Sequence, residues 1–511
     1  MSENRYRNTG PDVRMPAMDP LDPHTCYRAL QTRDARFDGR FFVAVSTTGI
    51  YCRPICPART ARFDNCSFFP SAAAAQSYGF RPCLRCRPET APGRGAWLGT
   101  FNTVARALRL IEDGALDDDA ATVDALAARL GVGERHLRRL FQLHLGASPV
   151  AVAQTRRVLF AKQLLQDTSL PMADVAMAAG FGSVRRFNEV FQSLYQQAPS
   201  QLRTARLRAR EPDGIEHLRG LSVQVPYREP YDASALMRFL ATRAIDGVEH
   251  VAGETYQRTL WQDGAAGVVS VQAVSGKAWL KVTVQHPSIR ALPAILARVR
   301  RVFDVDADIE RIHAHLSQDP FMAGLVQARP GLRAPGGWDG FELAVRAVLG
   351  QQVTVVAARR LAARLVQMCG AHVAVQVGGL SQCFPTAEQV LAADLSSLGM
   401  PGARKNALKA LAQASLADRD LFCVSDSIDD TVKRLCAIPG IGEWTAHYIA
   451  LRAVRETDAF PASDVGLLRS VAENGERPTP AQLLSRAEAW RPWRAYAAQH
   501  LWAADPDFTD T

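Results

Sequence analysis

A chain of 511 residues with 47% hydrophobic and 22% charged side chains has material for several packed cores, which excludes a disordered or low-complexity protein. With 60 Lys and Arg against 51 Asp and Glu the net charge is +9, a balance that favours a polyanionic partner, and no run of apolar residues is long enough to cross a membrane. The opening MSENRYRNTG lacks the apolar stretch of a secretory signal, so the expected location is the cytoplasm, where clustered cysteines signal metal binding or catalysis before disulfides.

The first ninety or so residues hold most of the cysteines. Cys52-x3-Cys56 and Cys83-x2-Cys86 form two close pairs, and four thiolates at this spacing close a tetrahedral zinc site. Spacing alone leaves open whether such a site is only a structural staple. The stretches FFVAVSTTGIYCRPICPAR and NCSFFPSAAAAQSYGFRPCLRC resemble the N-terminal domain of the Ada family. That resemblance implies one Zn2+, both structural and thiolate-activating, on Cys52, Cys56, Cys83 and Cys86. It also implies that Cys52 accepts a methyl group from a methylphosphotriester in DNA. Methylation removes one negative charge from the site, so DNA affinity is expected to rise and the repair event to act as a switch. Thr48, Arg59 and Arg81 are candidate phosphate contacts, whereas Cys26 and Cys66 fall outside the quartet.

PETAPGRGAW (88–97) has linker composition, and helical sequence rich in arginine follows. It contains an approximate repeat of about fifty residues: DALAARLGVGERHLRRLF (124–141) is echoed by ADVAMAAGFGSVRRFNEVF (173–191). Each copy reads as a short helix, a glycine turn and a basic helix, the pattern in which the second helix enters the major groove. Arg135, His136, Arg138 and Arg139, then Arg185, Arg186 and Asn188, are the expected exposed side chains. This segment is similar to the C-terminal DNA-binding domain of the AraC family.

After a second linker, RLRAREPDG (206–214), the pattern turns strand-like in LSVQVPY, GVVSVQAV and AWLKVTVQ, and returns to helices from 291 onward. LCAIPGIGEWTAHYIALR (435–452) reads as helix, hairpin, helix, with the amides around Gly440 and Gly442 open to a phosphate. About twenty residues on, Asp464 enters a helix as an N-cap candidate. A hairpin followed at this distance by an aspartate resembles the helix-hairpin-helix DNA glycosylases. ARPGLRAPGGWDGFELAVRAVLGQQVTV, LGMPGARKNAL and AWRPWRAYAAQHLW narrow the resemblance to the AlkA family of 3-methyladenine DNA glycosylases II. The resemblance implies that Asp464 is the catalytic carboxylate and that Trp444, Tyr448 and Trp490 bind the flipped base. It also implies that Gln352, beside Gln351, occupies the wedge position, and that hairpin carbonyls hold a monovalent cation. Two residues depart from the family pattern: the polar Gln352 stands at an apolar position, and Val465 replaces a tyrosine. The Pro-Cys-His-Arg-Val motif of O6-alkylguanine transfer is absent.

The expected architecture is multidomain α+β. A small Zn(Cys)4 α/β domain (1–92) precedes an all-α double helix-turn-helix domain (97–207). A β-rich subdomain (215–290) and an all-α helix-hairpin-helix core (291–511) follow. The expected function is a methylation-switched transcriptional activator joined to an alkylbase glycosylase, monomeric, acting on damaged and promoter double-stranded DNA and contacting RNA polymerase. The competing expectation is a zinc-stapled regulator whose C-terminal half clamps DNA without catalysis.

Overall fold

In the computed structural model, which describes residues 22–92, 102–112, 114–117, 121–203, 220–425, 427–473 and 476–505, the cysteine-rich segment folds on a four-stranded sheet of order β3-β1-β2-β4. β1 (Phe42–Val45) pairs antiparallel with β2 (Ile50–Cys52) and with β3 (Cys66–Phe69), and Gly49 at φ 65 closes the tight β1–β2 turn. β4 (Arg81–Pro82) runs parallel to β2, with Tyr51 opposite Pro82 and the Cys83 amide donating to Tyr51 O at 3.0 Å. Parallel pairing therefore sets Cys52 and Cys83 side by side at the same end of the sheet, although 31 positions separate them in sequence. The helix Pro23–Thr32, capped by Asp22, covers the sheet through Cys26, Ala29 and Leu30. Half of the linker 88–97 and all of 206–214 lie outside the described residues.

Packing divides the chain into two units. One holds residues up to Pro88 together with Val123–Thr155; the other holds Glu89–Thr122 and Arg156–Thr511. In the first unit the zinc-type sheet and the first helix-turn-helix share contacts. Ser71 Oγ donates to Leu145 O (2.7 Å), and Gln76 bridges the hydroxyls of Tyr51 (2.9 Å) and Thr155 (2.8 Å). The helices Val123–Arg129 and Glu134–Leu145 meet at Gly131 (φ 71) and bury Leu126, Leu137 and Phe141. The helical spacing of those apolar residues forms this core and turns the arginines between them outward.

The second unit contains the other helix-turn-helix, Met172–Ala178 and Val184–Tyr195, and a five-stranded antiparallel sheet of order β5-β9-β8-β7-β6. These strands are β5 (Leu221–Pro226), β6 (Glu249–Ala252), β7 (Thr255–Gln262), β8 (Ala265–Ala273) and β9 (Trp279–Gln285). Strict alternation along β5 sends Leu221, Val223 and Val225 to one face. That face joins Val175, Phe181, Phe187 and Phe191 of the helix-turn-helix in one core. The Gln163 side chain reinforces the junction by donating to Gln224 O at 2.7 Å. Boundaries drawn from composition miss this shared core, because it is built from residues far apart in sequence.

Beneath the sheet, Arg258 and Arg346 bracket Glu342 and Glu249 in a buried network that ties β6 and β7 to the helix Gly340–Leu349. Burial pushes the Glu342 carboxyl up, but Arg258 and Arg346 outweigh it and hold the group down at about 2. The C-terminal region is helical as expected, with one addition: a short ribbon of β10 (His372–Val377) and β11 (Leu380–Gln382).

Candidate functional site

The sulfurs of Cys52, Cys56, Cys83 and Cys86 all lie within 4.8 Å of one another, with Cys56 and Cys83 at 4.0 Å. A tetrahedral zinc site with bonds of about 2.3 Å needs sulfurs ~3.8 Å apart. The donor set thus fits Zn2+ in number, chemistry and size. The thiols of Cys56, Cys83 and Cys86, together with burial, push the Cys52 thiol far up, while the same cluster drives Cys83 down. Four sulfurs so crowded ionise together only around a cation.

The four ligands are not equivalent. Backbone amides donate to Cys86 Sγ (from Arg53, 3.3 Å) and Cys83 Sγ (from Arg85, 3.4 Å), which spreads the charge of those sulfurs. Among the described residues no backbone amide is found to donate to Cys52 Sγ. As a whole residue Cys52 keeps more open surface than the other three, although all four are buried where they cluster. Arg53 braces the site with its side chain, paired with buried Asp38 and donating to Cys86 O. Thr48 and Arg59 are exposed and Arg81 is half-buried, with Thr48 in the turn that leads into β2 and Arg81 on the strand beside it.

Arg135 and Arg138 are exposed on the second helix of the first helix-turn-helix, with Arg138 in an ion pair to Glu134. Arg185 and Arg186 are exposed on the equivalent helix of the other motif, which Ser183 caps. Arg185 carries a loose surface pair with Glu189 (2.9 Å), of the kind DNA phosphates readily replace.

In the C-terminal region the helix Ile428–Cys436 turns through residues 437–442 into the helix Glu443–Ile449. Gly440 adopts φ 88, and a Cβ there would lie 2.4 Å from Ala407 Cβ, so both conformation and space demand glycine. Gly442 is exposed with open space around it, which leaves the amides of the following turn accessible. Gln351 is tied to this hairpin, donating to Gly440 O (3.0 Å) and Thr445 Oγ1 (3.1 Å). Gln352 is exposed at φ 57, in the left-handed region.

A cleft of about 510 Å³ opens beside the hairpin, with Phe239, Trp338, Trp444, Tyr448, Asp464 and Trp502 in its walls. Asp464 caps the helix Val465–Ser470 through Leu467 N (3.1 Å). Each of its oxygens also accepts an indole N–H: Oδ2 from Trp444 and Oδ1 from Trp502, both at 2.9 Å. Three donors hold the carboxylate in one orientation at the cleft wall. Trp444 and Tyr448, one helical turn apart, stack with centroids 5.5 Å apart, and Trp502 meets Tyr448 edge-on.

Trp490 does not belong to this wall. It is fully buried in the core behind the cleft, which it shares with Trp502, its ring against Phe460 and its Nε1 donating to Asp319 Oδ2 at 2.8 Å. The expectation for Trp490 is therefore corrected, and Trp502 supplies the third aromatic. A tryptophan on the last turn of a helix carries no local mark of function, so the sequence offered no signal to choose it. Arg452 was also missed. Its guanidinium lies 5.1 Å from the Trp502 ring and donates to Gln499 Oε1 and Pro335 O, both neutral acceptors. Burial brings its pKa down to about 10, so it stays charged at neutral pH.

Comparisons with known proteins cover nearly the whole chain. Four family models match in order: the metal-binding domain of Ada (25–89), a helix-turn-helix domain (126–205), the AlkA N-terminal domain (222–339) and the HhH-GPD superfamily of base excision DNA repair proteins (345–495). The chain is 43% identical over 484 residues, 94% of its length, to a probable bifunctional transcriptional activator/DNA repair enzyme AlkA of Mycobacterium tuberculosis, and covers 96% of that protein. It is 36% identical over 279 residues, 54% of its length, to DNA-3-methyladenine glycosylase 2 of Escherichia coli, and covers 95% of it. In fold, 56% of the chain superimposes on 99% of a 3-methyladenine DNA glycosylase from Archaeoglobus fulgidus, with TM-score 0.50 and 22% identity.

Proposed function

The chain belongs to the family of bifunctional Ada/AlkA-type transcriptional activator and DNA repair proteins, and from that premise we propose that it carries two separate chemistries for alkylated DNA. It binds DNA, holds one zinc, and excises alkylated bases such as 3-methyladenine.

For the first chemistry, Cys52 is the methyl acceptor. Zinc supplies the positive charge that keeps all four sulfurs deprotonated. The Cys52 sulfur attacks the methyl carbon of a phosphotriester; an S–C bond forms, the C–O bond to phosphate breaks, and its electron pair leaves on a phosphodiester anion. Its larger open surface as a residue supports Cys52 over the other three, and the amide bonds to the Cys83 and Cys86 sulfurs support it over those two. Thr48, Arg59 and Arg81 seat the phosphate backbone. Loss of one negative charge strengthens promoter binding through Arg135, Arg138, Arg185 and Arg186, with recruitment of RNA polymerase by a monomer in the cytoplasm.

For the second chemistry, the amides at Gly440 and Gly442 grip a phosphate and Gln352 enters the space left by the flipped nucleotide, while Gln351 holds the hairpin. Carbonyls of the hairpin turn are the candidate ligands of a monovalent cation. The base sits against Trp444, Tyr448 and Trp502, whose electron-rich faces suit a cationic alkylpurine. The N–C1′ bond breaks with its electron pair leaving on the base. Asp464 faces the oxocarbenium-like sugar and directs the water that adds to C1′.

The observation that carries this reading is the Asp464 carboxylate, clamped by two indoles beside an intact hairpin. Its test is release of free 3-methyladenine from methylated DNA. Asp464→Asn is expected to lower the rate on the order of 100-fold or more. No release by either protein overturns it in favour of a DNA clamp, and equal release by both removes Asp464 from the catalytic role.

A further inference from the structure

Two helices converge on Asp464: Val465–Ser470, which it caps, and Arg494–Ala504, whose last turn carries Trp502. The Trp502–Asp464 bond is one cross-link between them. A second lies one turn away: Arg469 donates from Nε to Asp505 Oδ1 (3.1 Å) and from Nη2 to Asp505 Oδ2 (2.6 Å). Asp505 is 1% exposed, and its backbone N–H closes the helix end on Leu501 O and Trp502 O. Its carboxylate and the Trp502 indole are therefore fixed on the same turn.

Gly466 lies where the two cross-links approach each other. A Cβ there would stand 2.9 Å from Asp505 Oδ2, 3.1 Å from Asp464 Oδ1 and 3.4 Å from Trp502 Cδ1. Its φ is unremarkable, so glycine is required here for space, not for conformation. The same distances put the two carboxylates within about 6 Å of each other. At that separation two carboxylates repel each other unless a cation is shared with one of them. Arg469 is that cation, and all of these groups border the cleft.

We infer that Arg469 and Asp505 are a positioning pair for the glycosylase reaction. They lock Trp502 against Asp464, and as a neutral couple they leave Asp464 as the net negative charge at the sugar. Gly466 is the residue that permits the arrangement. This rests on the glycosylase reading above and adds to it the device that sets the geometry and charge of its carboxylate.

The inference makes a claim about sign that a purely structural pair does not. Arg469→Gln strips a positive charge from the surroundings of Asp464 and leaves the Asp505 carboxylate beside it. Asp505→Asn strips a negative charge from the same surroundings, so the two variants act on Asp464 in opposite senses. The other titratable groups lining the cleft are Tyr448, Arg452, Arg243, Arg359, Tyr256 and the network of Glu249, Arg258, Glu342 and Arg346, and none is altered.

The test is single-turnover excision from a duplex containing 3-methyladenine, measured against pH with the full chain. The acid limb is expected to move up by about one unit in Arg469→Gln and down by about one unit in Asp505→Asn. It is expected to return near the wild-type position in the double variant. Plateau rates fall about tenfold in all three as the tether is lost, while the half-saturating concentration changes less than twofold. Arg469→Lys keeps the charge and its limb stays at the wild-type position, which covers the case where Arg469→Gln fails to fold. Folded variants whose limbs stay put, or move in the same direction, overturn the positioning pair while leaving the glycosylase intact. A wild-type chain that releases no base overturns the underlying reading instead.

Discussion

Replacing Trp502 by phenylalanine keeps an aromatic wall in the cleft but deletes one N–H from the Asp464 carboxylate. Trp502 donates to Oδ1 at 2.9 Å, and the same oxygen keeps Leu467 N at 3.1 Å. A hydrogen bond to a charged acceptor contributes roughly 1.5–3 kcal/mol. With the Leu467 amide and entering water taking up part of that, about 1.4 kcal/mol remains, a factor of about ten. The acid limb of the single-turnover profile is expected to move up by about one unit. The neutral-pH rate falls about tenfold because the carboxylate is less firmly aimed. Trp490→Phe is the control. It takes a buried donor from Asp319 and is expected to cost about 1–3 kcal/mol of stability, with the acid limb unmoved. Excision kinetics against pH, with denaturant melts of each variant, separate the two. A limb that moves in Trp490→Phe and stays fixed in Trp502→Phe refutes the assignment of the pocket.

Three further outcomes follow from the same geometry. Gly440→Ala places a Cβ 2.4 Å from Ala407 Cβ at φ 88, so the hairpin must shift; the affinity of the full chain for undamaged duplex is expected to fall at least tenfold in fluorescence anisotropy. Glu456 is pushed up to about 7, first by burial, with Asp458 adding to the rise and Arg109 opposing it. A folded-state pKa above the unfolded one means stability falls as pH rises from about 4.5 to 7, by up to about 3 kcal/mol. Glu456→Gln abolishes that loss, so its denaturation midpoint exceeds wild type at pH 8 and matches it near pH 4.5. Methyl iodide is expected to label Cys52 ahead of Cys56, Cys83 and Cys86, because Cys52 is the residue of the four with most surface left open; peptide mapping that finds another of the ligands labelled first contradicts this.

Local sequence carried much of this architecture. The cysteine spacing anticipated the tetrad, and alternation in LSVQVP anticipated a half-buried strand. The glycine hairpin and the capping aspartate were legible because each satisfies a backbone requirement within a few residues. What stayed hidden depends on distant packing. Trp490 and Trp502 look alike in sequence, and only the meeting of the helices Val465–Ser470 and Arg494–Ala504 decides which indole reaches Asp464. Arg469, Asp505 and Gly466 gain meaning from the same meeting. The core shared by the second helix-turn-helix and β5 was likewise invisible, since apolar residues on a helix face do not state what they pack against.

The central claim is that one chain performs two separate reactions on alkylated DNA. The most direct measurement is mass spectrometry of a single incubation of the zinc-loaded protein with duplex carrying both methylphosphotriesters and 3-methyladenine. The account predicts one methyl group on the peptide containing Cys52 and free 3-methyladenine in solution. A methyl group on Cys56, Cys83 or Cys86 instead, or no released base, would contradict it.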